Sequence, residues 1–319
     1  MATRTLAALS ALLLLLPLSL SAQTGPSLMQ ADELRMRIAD GDSPAILWVG
    51  GNDAWEQGRV PSAQRIALGD VAVSQGEYAE PGSFVLDLPL ELDEIRREFE
   101  ARGVSSGRDV VVVFDSPRRL TQASRVVWTL TVLGMGDRTY LLDGGQPAWV
   151  EAGGALSTEG SAPSEGAEIT TSVDADRVVG LGWLARQYRT DDLTVIDARQ
   201  TASYTGEREE FPGRGGHIPG AGSLPIEVLL GEDGRMVPLD QIRELLADAG
   251  AEGEDRVVTY CHIGQRASAA WFAATLAGFD AAIYDGSMNE WGRTELPLAQ
   301  GNTPEGNMPD GTTPQGDAR

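Results

Sequence analysis

The chain of 319 residues has one cysteine, Cys261, and only two histidines. A single cysteine cannot form an internal disulfide, so the fold must be held together by its hydrophobic cores. One thiol and two scattered imidazoles do not supply the ligand set of a zinc site, and we expect no metal. The chain also lacks a Walker-type phosphate loop and a Gly-x-Gly-x-x-Gly pattern after a strand, and no cofactor is expected.

Basic side chains are scarce as well. The 25 lysines and arginines are outnumbered by 47 acidic residues, which gives a formal net charge of −22 at pH 7. This charge repels the phosphates of nucleic acids and of anionic lipids, so neither is an expected partner. A small anionic substrate would need a local positive pocket. For most of the acidic residues, a solvated surface is the ordinary explanation.

The hydrophobic run at the N-terminus is short for a membrane span. Arg4 precedes the apolar stretch Leu6 to Leu20, and small residues at 19–22 offer a cleavage site near Ala22 or Gln23. Residues 1–23 are therefore predicted to be a cleaved signal peptide, with an uncleaved anchor as the alternative. We expect an exported protein, periplasmic in a Gram-negative source, that is monomeric and has no stable membrane insertion.

One stretch around Cys261 organises the rest of the chain. The buried β run Val257 to Tyr260 leads to this residue, and the helical pattern Ala267 to Leu276 begins after Arg266. Inward N–H groups of such a loop and a helix N-terminus favour the thiolate, which is the reactive form of cysteine. Gly264 lets the backbone curl. The glycine and the arginine favour a reactive thiol over the alternative, a small buried hydrophobic residue.

The chain repeats one plan twice. In the first half, apolar strands at residues 45–49 and 109–114 alternate with helical patterns near Leu34 and at residues 90–99, which predicts an α/β structure. In the second half, residues 257–261 align with 111–115, and 285–291 align with 143–149. Internal duplication explains this match. Because Asp115 takes the place of Cys261, the first copy is expected to be inactive.

The predicted organisation is α/β, with two tandem domains that each contain a parallel sheet flanked by helices. The inactive domain covers residues 27–150 and the catalytic domain residues 176–299. Residues 151–175, rich in Gly, Ser, Ala and Glu, are predicted to be a linker. The tail at 300–319 has almost nothing apolar and is predicted to be disordered.

Four motifs follow one another in the second half. They are Asp197-Ala198-Arg199, His217-Ile218-Pro219-Gly220-Ala221, Cys261-His262-Ile263-Gly264-Gln265-Arg266, and Tyr284 to Trp291, with Met288 where an aromatic is more usual. In this order they resemble the motifs of the rhodanese superfamily. The resemblance implies a tandem-domain sulfurtransferase of the thiosulfate or 3-mercaptopyruvate type, with two rhodanese-like domains of which the C-terminal one is active.

On this resemblance, Cys261 is the predicted catalytic nucleophile. Its thiolate would take the outer sulfur of a small anionic donor, thiosulfate or 3-mercaptopyruvate, and the resulting persulfide would pass it to a thiol or cyanide. The predicted substrate-binding residues are those of the loop together with one upstream arginine: Arg266, His262, Ile263, Gly264, Gln265 and Arg199.

Two other functions have to be weighed against this one. A non-catalytic periplasmic persulfide carrier or protein-binding module is the alternative within the same fold. A cysteine phosphatase is disfavoured because such enzymes place five residues between Cys and Arg. Here four residues intervene, and the next position is Ala267, so the loop suits sulfur better than phosphate.

Several side chains outside the loop have two interpretations. Asp197 and Arg199 form either an internal salt bridge or a positive contribution to the site. His217 is either a buried hydrogen-bonding residue or part of a pocket. Arg208 and Arg214 are either solvated cations or contacts to an anionic substrate.

His262 lies beside the thiol and could line the mouth of the site. General-base work for it is the less favoured interpretation, since a persulfide route has little need of a base. Ser203 stands where the resemblance places an arginine in the members that prefer mercaptopyruvate.

Overall fold

The computed structural model describes residues 25–74, 86–87, 92–160, 162–163, 166–211 and 214–304. The strands in this part of the chain are β1 (Ser27–Met29), β2 (Ala45–Val49), β3 (Gln64–Arg65), β4 (Val73–Ser74), β5 (Leu86–Asp87), β6 (Val110–Phe114), β7 (Thr139–Leu142), β8 (Val178–Val179), β9 (Leu193–Asp197), β10 (Gly222–Ser223), β11 (Arg256–Tyr260) and β12 (Asp280–Tyr284). The α-helices are α1 (Ala31–Ala39), α2 (Asn52–Gln57), α3 (Leu92–Glu100), α4 (Leu120–Leu130), α5 (Gly145–Glu151), α6 (Leu181–Gln187), α7 (Thr201–Thr205), α8 (Leu239–Asp248), α9 (Gln265–Ala277) and α10 (Ser287–Trp291).

The first sheet has the order β1-β7-β6-β2-β3, and all of its neighbouring strands are parallel. Its central strand β6 is buried on both faces. Val110, Val112 and Phe114 face one core cluster, whereas Val111 and Val113 face another. Because side chains alternate between the faces of a strand, a continuous apolar run is what such a position requires. The predicted strands at 45–49 and 109–114 are confirmed by β2 and β6.

The second sheet repeats this arrangement. Its order is β8-β12-β11-β9-β10, again with all neighbours parallel. The strands of the second sheet, β8, β9, β10, β11 and β12, occupy the places that β1, β2, β3, β6 and β7, respectively, occupy in the first sheet. The α/β prediction of two domains, each with a parallel sheet flanked by helices, is confirmed. Asp115 follows β6 and Cys261 follows β11, so the two residues occupy equivalent sheet positions.

The two domains share one hydrophobic core. The cluster on one face of the first sheet continues through α4 and α9 into the second sheet, and includes Val126 and Val127 as well as Ala270 and Ala273. The small side chains of α9 allow the two helices to approach closely. The start of α9, which carries the Cys261 loop, is thereby fixed against the first domain.

The segment between the domains packs along the first domain. Ile169 is buried and its N–H donates to Glu100 at 2.8 Å. A Cβ on Gly134 would lie 2.2 Å from the carbonyl oxygen of Ser172, so this close backbone approach requires glycine. The predicted linker thus follows a defined path in its described part.

At the chain ends, the predicted signal peptide lies outside the described residues. Residues 300–304 of the predicted tail are described, and the carbonyl of Pro304 accepts from the Gly220 N–H at 2.8 Å. The remainder of the predicted tail is also outside the described part. Of the helices that the structure describes, none has the length and apolarity needed to cross a bilayer.

Candidate active site

The loop that carries Cys261 joins the end of β11 to the start of α9. Gly264 has a φ of +81°, in the left-handed region that favours glycine, and α9 begins directly after it at Gln265. The helix therefore starts two residues earlier than the sequence pattern indicates. Arg266 consequently lies in the first turn of α9 rather than before it.

The segment leading into α10 fixes the loop backbone. The Cys261 N–H donates to Ser287 Oγ at 3.2 Å, and the carbonyls of Cys261 and His262 accept from the N–H groups of Met288 and Asn289 at 3.0 and 2.9 Å. In a trans peptide the C=O and the following N–H point in opposite directions. The N–H groups of His262 and Ile263 are therefore directed away from α10.

These N–H groups have no acceptor among the residues that the structure describes. Within the described part of the chain, the backbone N–H groups of residues 262–264 donate to no other residue. Those of Gln265 and Arg266 belong to the first helical turn, where no partner exists within the helix. Five successive donors beside one thiol form a site suited to an anion.

Cys261 itself is only 1% exposed and borders the shared core, whereas His262, Ile263, Gln265 and Arg266 are half-buried. A reaction partner must therefore present a single terminal atom to the sulfur rather than surround it. Arg266 forms no ion pair with any residue that the structure describes. Its positive charge is therefore not neutralised by a described carboxylate.

Arg199 lies below the loop in a buried ion cluster. Its guanidinium makes two 3.0 Å bonds from Nε and a 2.6 Å bond from Nη2 to Asp197, and a further bond of 2.7 Å to the Gly216 carbonyl. Its side chain is 1% exposed and that of Asp197 is fully buried. This geometry corresponds to the internal salt bridge foreseen for the pair, and substrate contact by Arg199 stays a prediction that the burial does not favour.

The Arg199 cluster continues to His262 through Glu210, which the sequence did not single out. Glu210 Oε2 lies 2.9 Å from Arg199 Nη1 and 3.0 Å from His262 Nδ1. Burial raises the pKa of Glu210, but the hydrogen bond from His262 and the attraction of Arg199 outweigh it and lower the pKa to about 2. Phe211 stacks on the His262 ring at 5.9 Å between centroids. No sequence motif marked this contact, because it depends on how the loop after α7 folds back.

The first domain also contributes to the site. Gln265 Nε2 donates to Thr121 Oγ1 of α4 at 2.9 Å, which turns the Gln265 side chain toward the first domain. Arg125 of α4 pairs with Asp285 at 2.5 Å, and a Cβ on Gly264 would lie within 3.0 Å of both of these side chains. Such inter-domain contacts carry no local sequence signal. They make the first domain a support of the Cys261 loop.

The remaining candidates are structural. Both ring nitrogens of His217 lie against carbonyls, Nδ1 at 2.8 Å from Tyr204 and Nε2 at 3.0 Å from Pro304, so the buried hydrogen-bonding interpretation is confirmed. Arg214 donates to the carbonyls of Thr294 and Leu296 rather than facing the thiol. Arg208 is exposed.

In the first domain, the position equivalent to Cys261 holds a carboxylate, Asp115. Asp115 Oδ2 accepts from the Gly51 N–H at 2.8 Å, and Oδ1 accepts from the Ser116 hydroxyl at 2.9 Å. No group of three or more potential metal ligands occurs among the residues that the structure describes.

Comparison with known proteins gives a consistent result. A model of the rhodanese-like domain matches residues 181–294, which contain the four motifs. Over 279 residues the chain is 31% identical to SseB, a putative thiosulfate sulfurtransferase of Mycobacterium tuberculosis, with 84% of this chain and 94% of that protein covered. Over 250 residues it is 33% identical to a probable 3-mercaptopyruvate sulfurtransferase of Pseudomonas aeruginosa, with coverages of 71% and 87%.

Two further relatives extend the comparison. The sulfur carrier protein TtuD of Thermus thermophilus is 28% identical over 291 residues, covering 85% of this chain and 93% of that protein. The anaerobic ergothioneine biosynthesis enzyme of Chlorobium limicola, solved with trimethyl histidine, has a TM-score of 0.72 and 22% identity, covering 86% and 70% of the two chains, and shows the fold alone. With relatives of more than 30% identity spanning most of its length, and with all four motifs present, this chain belongs to the rhodanese superfamily and is a sulfurtransferase.

Proposed function

We propose that the protein moves sulfane sulfur from thiosulfate, or from 3-mercaptopyruvate, to a thiophilic acceptor through a persulfide on Cys261. The observation that carries this proposal is the backbone of the loop. The carbonyls of Cys261 and His262 accept from α10, and the N–H groups that follow them have no acceptor in the described part of the protein. An anionic sulfur bound to Cys261 would meet these donors and the Arg266 charge.

The reaction divides into two displacements. With thiosulfate as donor, the Cys261 thiolate attacks the outer sulfur, the S–S bond of the donor breaks, and sulfite leaves with the bonding electrons. The acceptor then attacks the outer sulfur of the persulfide, and the Cys261 thiolate is released. No oxidant or cofactor is needed, because the sulfur atom is only passed on.

The test is the substitution Cys261→Ser. Wild-type protein treated with thiosulfate should gain one sulfur atom, about 32 Da by intact mass, whereas the serine variant should gain none and show no turnover. The matched change in the first copy, Asp115→Asn, should leave transfer intact because that loop holds no thiol. Appreciable transfer by Cys261→Ser would refute the proposal.

Donor choice requires a separate measurement. Relatives named for thiosulfate and for 3-mercaptopyruvate both match over most of the chain. A steady-state comparison of kcat/KM for the two donors with the wild-type protein decides between them.

A persulfide carrier is the second candidate. It is favoured by the similarity to a protein named as a sulfur carrier. A carrier would gain the sulfur but release it slowly to cyanide and to small thiols. Rapid discharge to either of these would instead support the enzyme.

We also propose that the protein is exported, as the N-terminal sequence indicates. The intact mass of protein recovered from the periplasm of an expressing Gram-negative host should correspond to cleavage near Ala22 or Gln23. A full-length, cytoplasmic product would contradict this.

A further inference from the structure

The contact between Glu210 and His262 defines the state of the histidine ring. Glu210 has a pKa of about 2 and is a carboxylate in the folded protein over the neutral range. A carboxylate can only accept hydrogen bonds. His262 Nδ1, 3.0 Å from Glu210 Oε2, must therefore carry the proton. In the neutral ring this leaves a lone pair on Nε2.

The position of His262 makes that lone pair accessible. Its side chain is 37% exposed, and Nε2 has no partner among the residues that the structure describes. Phe211 stacks on the ring with an interplanar angle of 25°, and Arg199 holds Glu210 from the other side. Two adjacent residues of one loop, Glu210 and Phe211, thus orient the ring. Its Nε2 belongs to the residue that directly follows the nucleophile in the chain.

The charges around the ring come from several elements. Glu210 contacts it directly, and Arg293 lies 5.8 Å from the Phe211 ring that stacks on it. The other charged or ionisable groups of the site lie on the adjoining β9 end, loop and α9: Asp197, Arg199, Cys261 and Arg266.

We propose that His262, oriented by Glu210, is a general base for sulfur acceptors that arrive protonated, and that Glu210 is its positioning residue. This rests on the proposed persulfide route and concerns its second half. A carboxylate–imidazole pair with one free nitrogen is an established arrangement for proton abstraction. The structure thereby favours the general-base role of His262, which was the less favoured interpretation from the sequence alone.

The chemical step balances without a further reagent. A thiol acceptor loses its proton to His262 Nε2, and the resulting thiolate attacks the outer sulfur of the Cys261 persulfide. The S–S bond breaks, Cys261 leaves as the thiolate, and the acceptor departs as its own persulfide. The proton on Nε2 then passes to solvent. Sulfite attacks as an anion at pH 8 and does not need this proton transfer.

The experiment measures single-turnover discharge of the preformed persulfide. Protein is loaded with thiosulfate, separated from it, and mixed with 2-mercaptoethanol or with sulfite at pH 8, and the mass of Cys261 is followed over time. Discharge to the thiol should fall about 100-fold in His262→Gln, the size expected for loss of a general base. It should fall about 10-fold in Glu210→Gln, as for other orienting partners of histidine.

The controls separate this role from a structural one. In both variants, discharge to sulfite should fall by a much smaller factor than discharge to the thiol, since sulfite attacks without a proton transfer. The exposed Glu207 lies in the same segment, and Glu207→Gln should behave as wild type. Raising the pH until the thiol ionises by itself should restore most of the lost rate in His262→Gln, which a packing defect would not do.

Each other outcome has a definite meaning. Equal losses with thiol and sulfite would refute a general base, as would undiminished thiol discharge in His262→Gln. Failure of the wild-type protein to gain sulfur would remove the proposed function together with this inference. If Cys261 gains sulfur normally but the variants do not show a loss specific for the thiol acceptor, only this inference is refuted.

Discussion

At the scale of single residues, the Cys261 loop depends on the absence of a Cβ at Gly264. Its φ of +81° is one that a residue with a Cβ adopts only at a cost of about 1–2 kcal/mol. In addition, a Cβ there would lie 2.7 Å from Asp285 Oδ1 and 2.9 Å from Arg125 Nη1, both in a buried ion pair. The glycine of the motif is thus explained by both backbone conformation and space.

We expect Gly264→Ala to abolish persulfide formation, because the loop has to shift away from the Arg125–Asp285 pair. Gly278, at the other end of α9, also has a positive φ but no atom within 4 Å of an added Cβ. Gly278→Ala should therefore cost only the backbone strain, about 1 kcal/mol, and leave activity unchanged. Thiosulfate loading by intact mass and thermal melting of the two variants check this. Equal loading in both would contradict the steric argument.

At the scale of elements, the sequence predicted the strands and helices that have a strong hydrophobic pattern. The apolar runs of β2, β6 and β11 follow from burial on both faces, and they were placed within a residue or two. The short helices α7 and α10 are five residues each, too short to produce a periodic signal. The sequence did not single out Glu210 and marked Ser287 only as part of the Tyr284–Trp291 motif. The contacts of both residues depend on how these short elements fold back against a distant strand.

The ion cluster between the end of β9 and the loop after α7 should make stability depend on pH. The folded pKa of Glu210 is about 2, below the value of 4.5 for a free carboxyl. The contribution of the Glu210 carboxylate to the free energy of unfolding is therefore fully present above about pH 4.5 and is lost as the pH falls toward 2. Glu210→Gln should lower the free energy of unfolding at pH 7 by about 1–3 kcal/mol, as for a hydrogen bond between charged groups.

Denaturant titration of wild type and Glu210→Gln at pH 7 and at pH 3 measures this effect. The difference in unfolding free energy should shrink at the lower pH. Glu207→Gln, at an exposed position, should differ from wild type by less than about 0.5 kcal/mol at both values. A difference for Glu210→Gln that is as large at pH 3 as at pH 7 would mean that the carboxylate charge is not what stabilises the cluster.

At the scale of the whole molecule, the first domain is part of the structure that holds the Cys261 loop. The two sheets share a core through α4 and α9, and the loop that carries Cys261 lies at this junction. Duplication placed an equivalent loop in the first domain, but Asp115 stands there in place of the cysteine and accepts from the Gly51 N–H. What that domain supplies instead is support: Thr121 binds Gln265, and Arg125 binds Asp285 beside Gly264. The sequence repeat predicted the second domain of the pair but not this dependence.

Among the residues that the structure describes, two ion pairs join α4 and α5 to the second domain, and they differ in burial. The side chains of Arg125 and Asp285 are 0% and 8% exposed, whereas those of Arg235 and Glu151, 2.6 Å apart, are 29% and 69% exposed. Removing one partner of a buried pair leaves an uncompensated charge, so Arg125→Met should lower the unfolding free energy by about 3–5 kcal/mol. Arg235→Met should cost no more than about 1 kcal/mol, the range of surface pairs.

Arg125→Met should also slow persulfide formation, because Asp285 adjoins both Gly264 and the segment that binds the Cys261 backbone. The double variant Arg125→Met with Asp285→Asn removes both charges and should recover part of the stability, which a double-mutant cycle measures. Persulfide formation with thiosulfate is measured for the wild type, for Arg125→Met, for Asp285→Asn and for the double variant. It tests whether the ion pair affects function as well as stability. If Arg125→Met loads as fast as Arg235→Met while it is folded, the first domain stabilises the molecule without shaping its active loop.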